Sequence, residues 1–162
     1  MKLKIFWRLL SALVLLFLST NIVFACKCSS GYTRTDHFND AEYVAFIRVT
    51  ATELRPSEEL SQNAQEVLAE WIGSSQYIRV SFDEHEVFKG KGNTPAYLME
   101  WISGGGNCAL GLKPGWSYVV FLRKKSMGFV MDCTGTRVHF KETDDNGEDV
   151  ELKLLRDLAE KQ

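Results

Sequence analysis

The stretch YIRVSFDEHEVFKG, residues 77–90, alternates apolar and polar side chains and is rich in β-branched and aromatic residues. That is the signature of a long strand with one face turned to a core, and KGKGN directly behind it supplies a turn. Its neighbours read the same way. Upstream, EYVAFIRVTATEL (42–54) alternates as a strand; downstream come AYLMEWI (96–102), WSYVVFLRKK (116–125) and GFVMDCTGTRVHF (128–140). Five strands, mostly separated by short turns, make the chain mainly β and suit a small closed or partly closed barrel.

Two helical patterns interrupt the strands. In RPSEELSQNAQEVLAEWIGSSQ (55–76), Leu60, Ala64, Val67, Leu68, Trp71 and Ile72 recur at helical spacing. Ser57 is placed to cap the start and Gly73 to end it, giving a helix over 57–72 inserted between the first two strands. At the C-terminus, VELKLLRDLAEKQ sets Val150, Leu154, Leu155 and Leu158 on one face behind DDNGED. The acidic run reads as helix caps, since it lacks the ligand and glycine spacing of an EF-hand. A short helical turn is expected around Asp36–Ala41.

The first 25 residues read as a secretory signal. Lys2, Lys4 and Arg8 form a positive start, LLSALVLLFL (9–18) an apolar core, and Val23 and Ala25 the −3 and −1 positions of a cleavage site before Cys26. The apolar run is short for a permanent membrane helix. Removal of 1–25 leaves 137 residues, 26–162, enough for a single domain. The mature charge is near −5, from 16 Lys and Arg against 21 Asp and Glu. An acidic balance opposes nucleic acid as a partner, because phosphate neutralisation needs a basic groove.

Four cysteines remain: Cys26, Cys28, Cys108 and Cys133. In an oxidising compartment an even count favours two disulfides. A Cys26–Cys28 bond would close a very small strained ring, so the N-terminal pair is expected to bridge outward, one each to Cys108 and Cys133. CKC lacks the CxxC spacing of a redox dithiol. SGGGNC (103–108) lacks the spacing and the Lys-Ser/Thr ending of a phosphate loop, and reads as a tight excursion beside a disulfide.

No constellation of an enzyme is found. His37, His85 and His139 are scattered without HxxxH or HExxH spacing, so the chain is expected to hold no metal of its own, and no cofactor is implied. His85 reads as a strand surface residue. Asp83, Glu84 and Glu86 cluster on the second strand, where alternation puts Glu84 and Glu86 together on the solvated face. No nucleophile elbow or triad pattern is present.

In their order, CKC behind a leader, YVAFIRVTATEL, EVFKG, NCALGLKPGWSYVVFL and MDCTG resemble the N-terminal domain of the tissue inhibitors of metalloproteinases, within the wider netrin-like family. The likeness covers about residues 26–138, with 55–75 as an insertion. It implies a five-stranded OB-fold barrel, here with an inserted and a C-terminal helix, and disulfides Cys26–Cys108 and Cys28–Cys133. It also implies a secreted or periplasmic inhibitor in which the α-amine and carbonyl oxygen of Cys26 chelate the catalytic zinc of a target metalloprotease. Lys27 would point into the pocket beside that zinc, with Gly106 and Asn107 as the adjacent ridge.

The implied chemistry is sound. An α-amine and its own carbonyl form a five-membered chelate, and a catalytic zinc keeps an open position. The amine loses its proton near neutrality, at a pKa of about 7.7–8.0. Displacing the zinc-bound water removes the protease's nucleophile.

This chain departs from the family in carrying Lys27 where a small or uncharged residue is usual, SSGYTRT where a proline-rich continuation is usual, and neither the third disulfide nor the cysteine-rich C-terminal domain. VFAC also partly resembles a lipoprotein signal, although Phe24 is bulky for its position. Cys26 would then carry lipid, zinc chelation would be impossible, and the domain would be a membrane-anchored, non-inhibitory binding or structural module of the cell envelope.

Overall fold

The computed structural model describes Cys28 and residues 31–72, 74–102, 108–124 and 128–162. A short helix, α1 (Arg34–Asp40), leads into β1 (Tyr43–Pro56). A 3-10 turn (Ser57–Glu59) and helix α2 (Gln62–Ile72) then connect to β2 (Gln76–Lys89). β3 (Leu98–Glu100), β4 (Ser117–Leu122), a 3-10 turn (Asp132–Thr134), β5 (Arg137–Val138) and helix α3 (Val150–Ala159) follow. The strands form one antiparallel sheet in the order β3-β2-β1-β4-β5.

The spine is the β1–β2 pair, running from Val44 opposite Lys89 to Pro56 opposite Gln76. The inserted helix is thus a long connection between two paired strands, as expected. Its start differs: Ser57 opens the 3-10 turn, and the helix proper begins at Gln62, where the amides of Ala64 and Gln65 donate to the Ser61 carbonyl. Leu60, Ala64 and Leu68 are buried against Tyr77, Met99, Trp101 and Phe129. The side chains of Val67, Trp71 and Ile72, and all of Gly73, lie outside the described residues.

Both faces of the sheet are covered. Tyr43, Ala45, Ile47 and Val49 alternate with Val44 along β1, and Tyr118, Val120 and Leu122 alternate with Val119 and Phe121 along β4. The first set packs with Val80, Leu98, Leu112 and Val130. The second packs with Phe88, with Phe38 and Ala41 of the α1 region, and with Leu152 and Leu155 of α3. That double coverage is why YVAFI and YVVFL are nearly continuous apolar runs.

The expectation of a closed five-stranded barrel needs correcting: among the described residues the sheet is open, with β3 and β5 at its edges. The reason lies in GFVMDCTGTRVHF, which does not form one strand. Asp132–Thr134 coil into a 3-10 turn that ends on Gly135 in the left-handed region, φ 93°. Only Arg137 and Val138 then pair with β4. Before the turn, Phe129 makes a lone parallel bridge to Met99 of β3, through Met99 N–H to Gly128 O (3.0 Å) and Val130 N–H to Met99 O (2.8 Å). The segment therefore touches both sheet edges without a continuous ladder to either.

The termini of the helices are set by capping. Thr33 and Asp36 form a reciprocal capping box at α1, and the Asp149 side chain accepts from Leu152 N–H at the start of α3. Asp144 Oδ1 accepts from the amides of Asn146 and Glu148, so DDNGED is a turn and a cap. The buried face of α3 matches the expected one at Leu155, which is buried, and at Leu158, which packs beside it, but includes Leu152 in place of Val150 and Leu154, which are exposed.

Candidate functional site

The residues expected to act, Cys26, Lys27, Gly106 and Asn107, lie outside the described residues, as does the leader 1–25. What is described is the ground they are rooted in. Cys28 is bonded to Cys133 across 105 residues of sequence, with Cα atoms 5.0 Å apart. Cys108 is disulfide-bonded too, and its expected partner Cys26 lies outside the described residues. The Cys108 Sγ stands 3.8 Å from the Cys133 Sγ. With both sulfurs oxidised, neither carries a proton, so this is a van der Waals contact. Asp132 N–H donates to the Cys108 carbonyl at 3.1 Å, which fixes Cys108 against the Cys133 turn.

That turn is itself held by side chains. Thr134 Oγ1 donates to the Met131 carbonyl (2.7 Å), and buried Thr136 accepts from Phe121 N–H through its hydroxyl (3.0 Å). The Gly135 Cα faces the His37 ring so closely that an added Cβ would stand 2.6 Å from its Cγ. Trp101, buried at the head of the excursion, stacks on Phe129 with ring centroids 4.5 Å apart. The chain segments bearing Cys28, Cys108 and Cys133 thus meet at one braced corner.

Glu100, at the end of β3, reaches the backbone of residues 110–112. It is 1 % exposed, and burial pushes its carboxyl above the ordinary carboxylate range, opposed by backbone N–H groups of Leu112, Gly111 and Leu110. Sequence reading missed it, although an acid between Met99 and Trp101 in an otherwise apolar run was the available signal.

The remaining candidates resolve into structural roles. His139 is nearly buried, with Nε2 2.9 Å from Asp149 Oδ2 and Nδ1 3.2 Å from Glu151 Oε2. Both ring nitrogens are engaged by carboxylates of the same domain, so the ring is held as part of a packed cluster. Glu151 is shared further with Arg34 (3.2 Å) and Arg137 (2.9 Å), a cluster that no spacing in the sequence announced. His37 sits in α1, and burial followed by nearby Arg123 holds its pKa below the usual histidine range. His85 lies against Phe46 on the second strand.

The Glu84–Glu86 pairing is corrected. The partners of Phe46 and Ile47 skip from Glu86 to Glu84, a bulge that breaks alternation. Glu84 consequently accepts from Tyr43 Oη (2.6 Å) and Thr94 Oγ1 (2.7 Å). Glu86 instead makes a two-pronged ion pair with Arg156 of α3, both contacts 2.8 Å. The two carboxylates share no site.

A cleft of about 440 Å³ adjoins the corner, lined by Asp132 and Gly135 and by Tyr32, Arg34, Arg137 and Phe140. Its guanidinium groups are already turned onto Glu151. Among the described residues no group of three or more His, Cys, Asp or Glu side chains is placed to hold a metal ion, and no helix is long and apolar enough to cross a membrane. No family model matches the chain, and no curated protein matches it.

Proposed function

We propose that this chain is an exported inhibitor of the kind the tissue inhibitors of metalloproteinases represent. It would block a zinc protease stoichiometrically through the Cys26 α-amine and carbonyl, without catalysis of its own. The observation that carries the reading is the meeting of Cys28 and Cys108 at Cys133. Cys28 is two residues from the proposed chelating group, and Cys108 directly follows the proposed ridge residues Gly106 and Asn107. Anchoring both segments at one corner is what a rigid two-part wedge requires, because immobilised groups lose less entropy on binding. Cys26–Cys108 is the second proposed bond. Lys27 would bury its stem in the target pocket and hold its ammonium at the pocket's polar rim, which favours a target with an acceptor there.

The finer architecture proposed is a partly open OB-type roll. The Met99–Phe129 parallel bridge supports it, since it draws the β3 edge toward the segment that also feeds β5. The second reading is a non-inhibitory module acylated at Cys26, favoured by the VFAC sequence alone.

Intact mass of the exported protein separates the two, followed by assay against a panel of zinc proteases before and after Nα-acetylation. The inhibitor reading expects processing before Cys26, a free amine, two disulfides and loss of inhibition on acetylation. A diacylglycerol adduct, or inhibition that survives acetylation, overturns it.

A further inference from the structure

β3 ends at Glu100 and β4 begins at Ser117, and the described residues between them form no strand. Segments without a ladder partner must still satisfy their backbone N–H groups. Here the descending limb does so on side chains. Glu100 accepts from Gly111 N–H on one oxygen and from Leu112 N–H (2.9 Å) on the other, with Leu110 N–H also donating. Lys113 N–H donates to Tyr118 Oη at 3.0 Å. Four successive amides are thus taken up by two side chains of the sheet. Gly111, at φ 67°, gives the left-handed step that lets neighbouring amides converge on one anion, as in a backbone nest.

Glu100 and Leu110 bracket residues 101–109, which contain the proposed ridge. Trp101 is held by its stack on Phe129, and Cys108 by its disulfide and by the Asp132 hydrogen bond to its carbonyl. Leu110 and Leu112 seat the limb on the core by apolar contact, which resists sliding less than directed bonds do; Glu100 supplies the directed polar ties of 110–112. We propose that Glu100 is a positioning residue: its carboxyl group locks the 110–112 limb to the sheet and so holds Cys108, which directly follows the proposed contact residues Gly106 and Asn107 in sequence, in place. The consequence for inhibition rests on the function proposed above; the locking itself does not. Glutamine cannot substitute fully, because its amide nitrogen would confront an N–H with another donor.

The test uses the mature protein with both disulfides confirmed by mass, as wild type, Glu100→Gln and Glu100→Ala. Hydrogen exchange at Leu110, Gly111 and Leu112 is read beside Val119 and Val120 of β4, and inhibition is read against any zinc protease found in the panel. In Glu100→Gln the limb amides are expected to exchange about tenfold faster relative to the β4 pair, with a Ki raised about tenfold. In Glu100→Ala, added acetate or formate is expected to restore limb protection by occupying the vacated cradle. Exchange that rises equally at the limb and at β4 overturns the locking role. Local loosening with an unchanged Ki overturns the positioning role in inhibition. If wild type inhibits nothing, the inhibitor reading falls while the exchange comparison still decides whether Glu100 locks the limb. Should Glu100→Ala fail to fold, Glu100→Gln alone carries the decision.

Discussion

Replacing both Cys28 and Cys133 by serine tests how the N-terminal segment is tied down. Changing both avoids leaving a lone thiol beside the Cys108 sulfur, where exchange would scramble the remaining bond. Were Cys28–Cys133 the only cross-link, its 105-residue closure would stabilise the fold by about 4.8 kcal/mol in the chain-entropy model. If Cys108 returns to Cys26, most of that loop is already closed. Only the 25 residues from Cys108 to Cys133 and the two-residue step from Cys26 to Cys28 stay free. A loop of about 27 residues gives about 3.5 kcal/mol. Cys28 is exposed and Cys133 half-buried, so serine adds little packing loss. The assay is urea unfolding at fixed pH with linear extrapolation, wild type against the double variant, the other disulfide verified by mass. A loss close to 3.5 kcal/mol fits the proposed pairing. A loss near 4.8 kcal/mol despite the verified second disulfide, or a loss below about 1 kcal/mol, refutes the loop-closure reasoning.

Two further outcomes follow from the described residues. Leu155→Ala should cost about 2–5 kcal/mol in urea unfolding, whereas Leu154→Ala, on the exposed side of α3, should stay within about 0.5 kcal/mol; equal costs would mean that the helix seats on a different face. Because burial raises the Glu100 carboxyl in the folded chain, the folded form keeps a proton that the unfolded form releases. Its contribution should therefore improve as pH falls from the raised value toward the ordinary carboxylate value, and Glu100→Gln should erase that slope in the wild-type-minus-variant difference.

What the sequence made legible was whatever repeats. β1, β2 and the two longer helices announce themselves through periodicity sustained over ten residues or more, and their positions fall within a few residues of the reading, with the main shift at the start of α2. What stayed hidden depends on neighbours distant in sequence. The bulge at Phe46/Ile47 sends Glu84 toward the Tyr43 hydroxyl and Glu86 toward Arg156, and a two-residue period has no means of flagging it. The α3 face was read correctly at Leu155 and Leu158 but not at Val150 and Leu154, because those two fit a helical stripe with Leu158 as well as Leu152 fits one with Leu155. Only the seat offered by Phe38, Val44 and Phe121 selects between them. In the fifth strand the signal was present in CTG, where Gly135 takes a left-handed turn, but the apolar residues on either side masked it.

The division between regular and irregular backbone explains where the polar and oxidised side chains are spent. β1, β2 and β4 satisfy one another through ladders, and their buried side chains are nearly all apolar. The described residues of 101–116 and 128–136 have no such ladder, and they are where Glu100, Tyr118, Thr134 and Thr136 act on backbone groups and where Cys108 and Cys133 meet. A buried amide without a partner costs about 1–3 kcal/mol, so irregular chain persists only where such acceptors are supplied. Supplying them makes possible something a strand edge cannot offer: a stiff, non-repeating backbone contour held by cross-links. The inhibition proposed above would need that stiffness in a ligand for another protein's metal. The tenfold change expected for Glu100→Gln and the 3.5 kcal/mol expected for the Cys28–Cys133 bond are two measures of it, taken at opposite flanks of one corner.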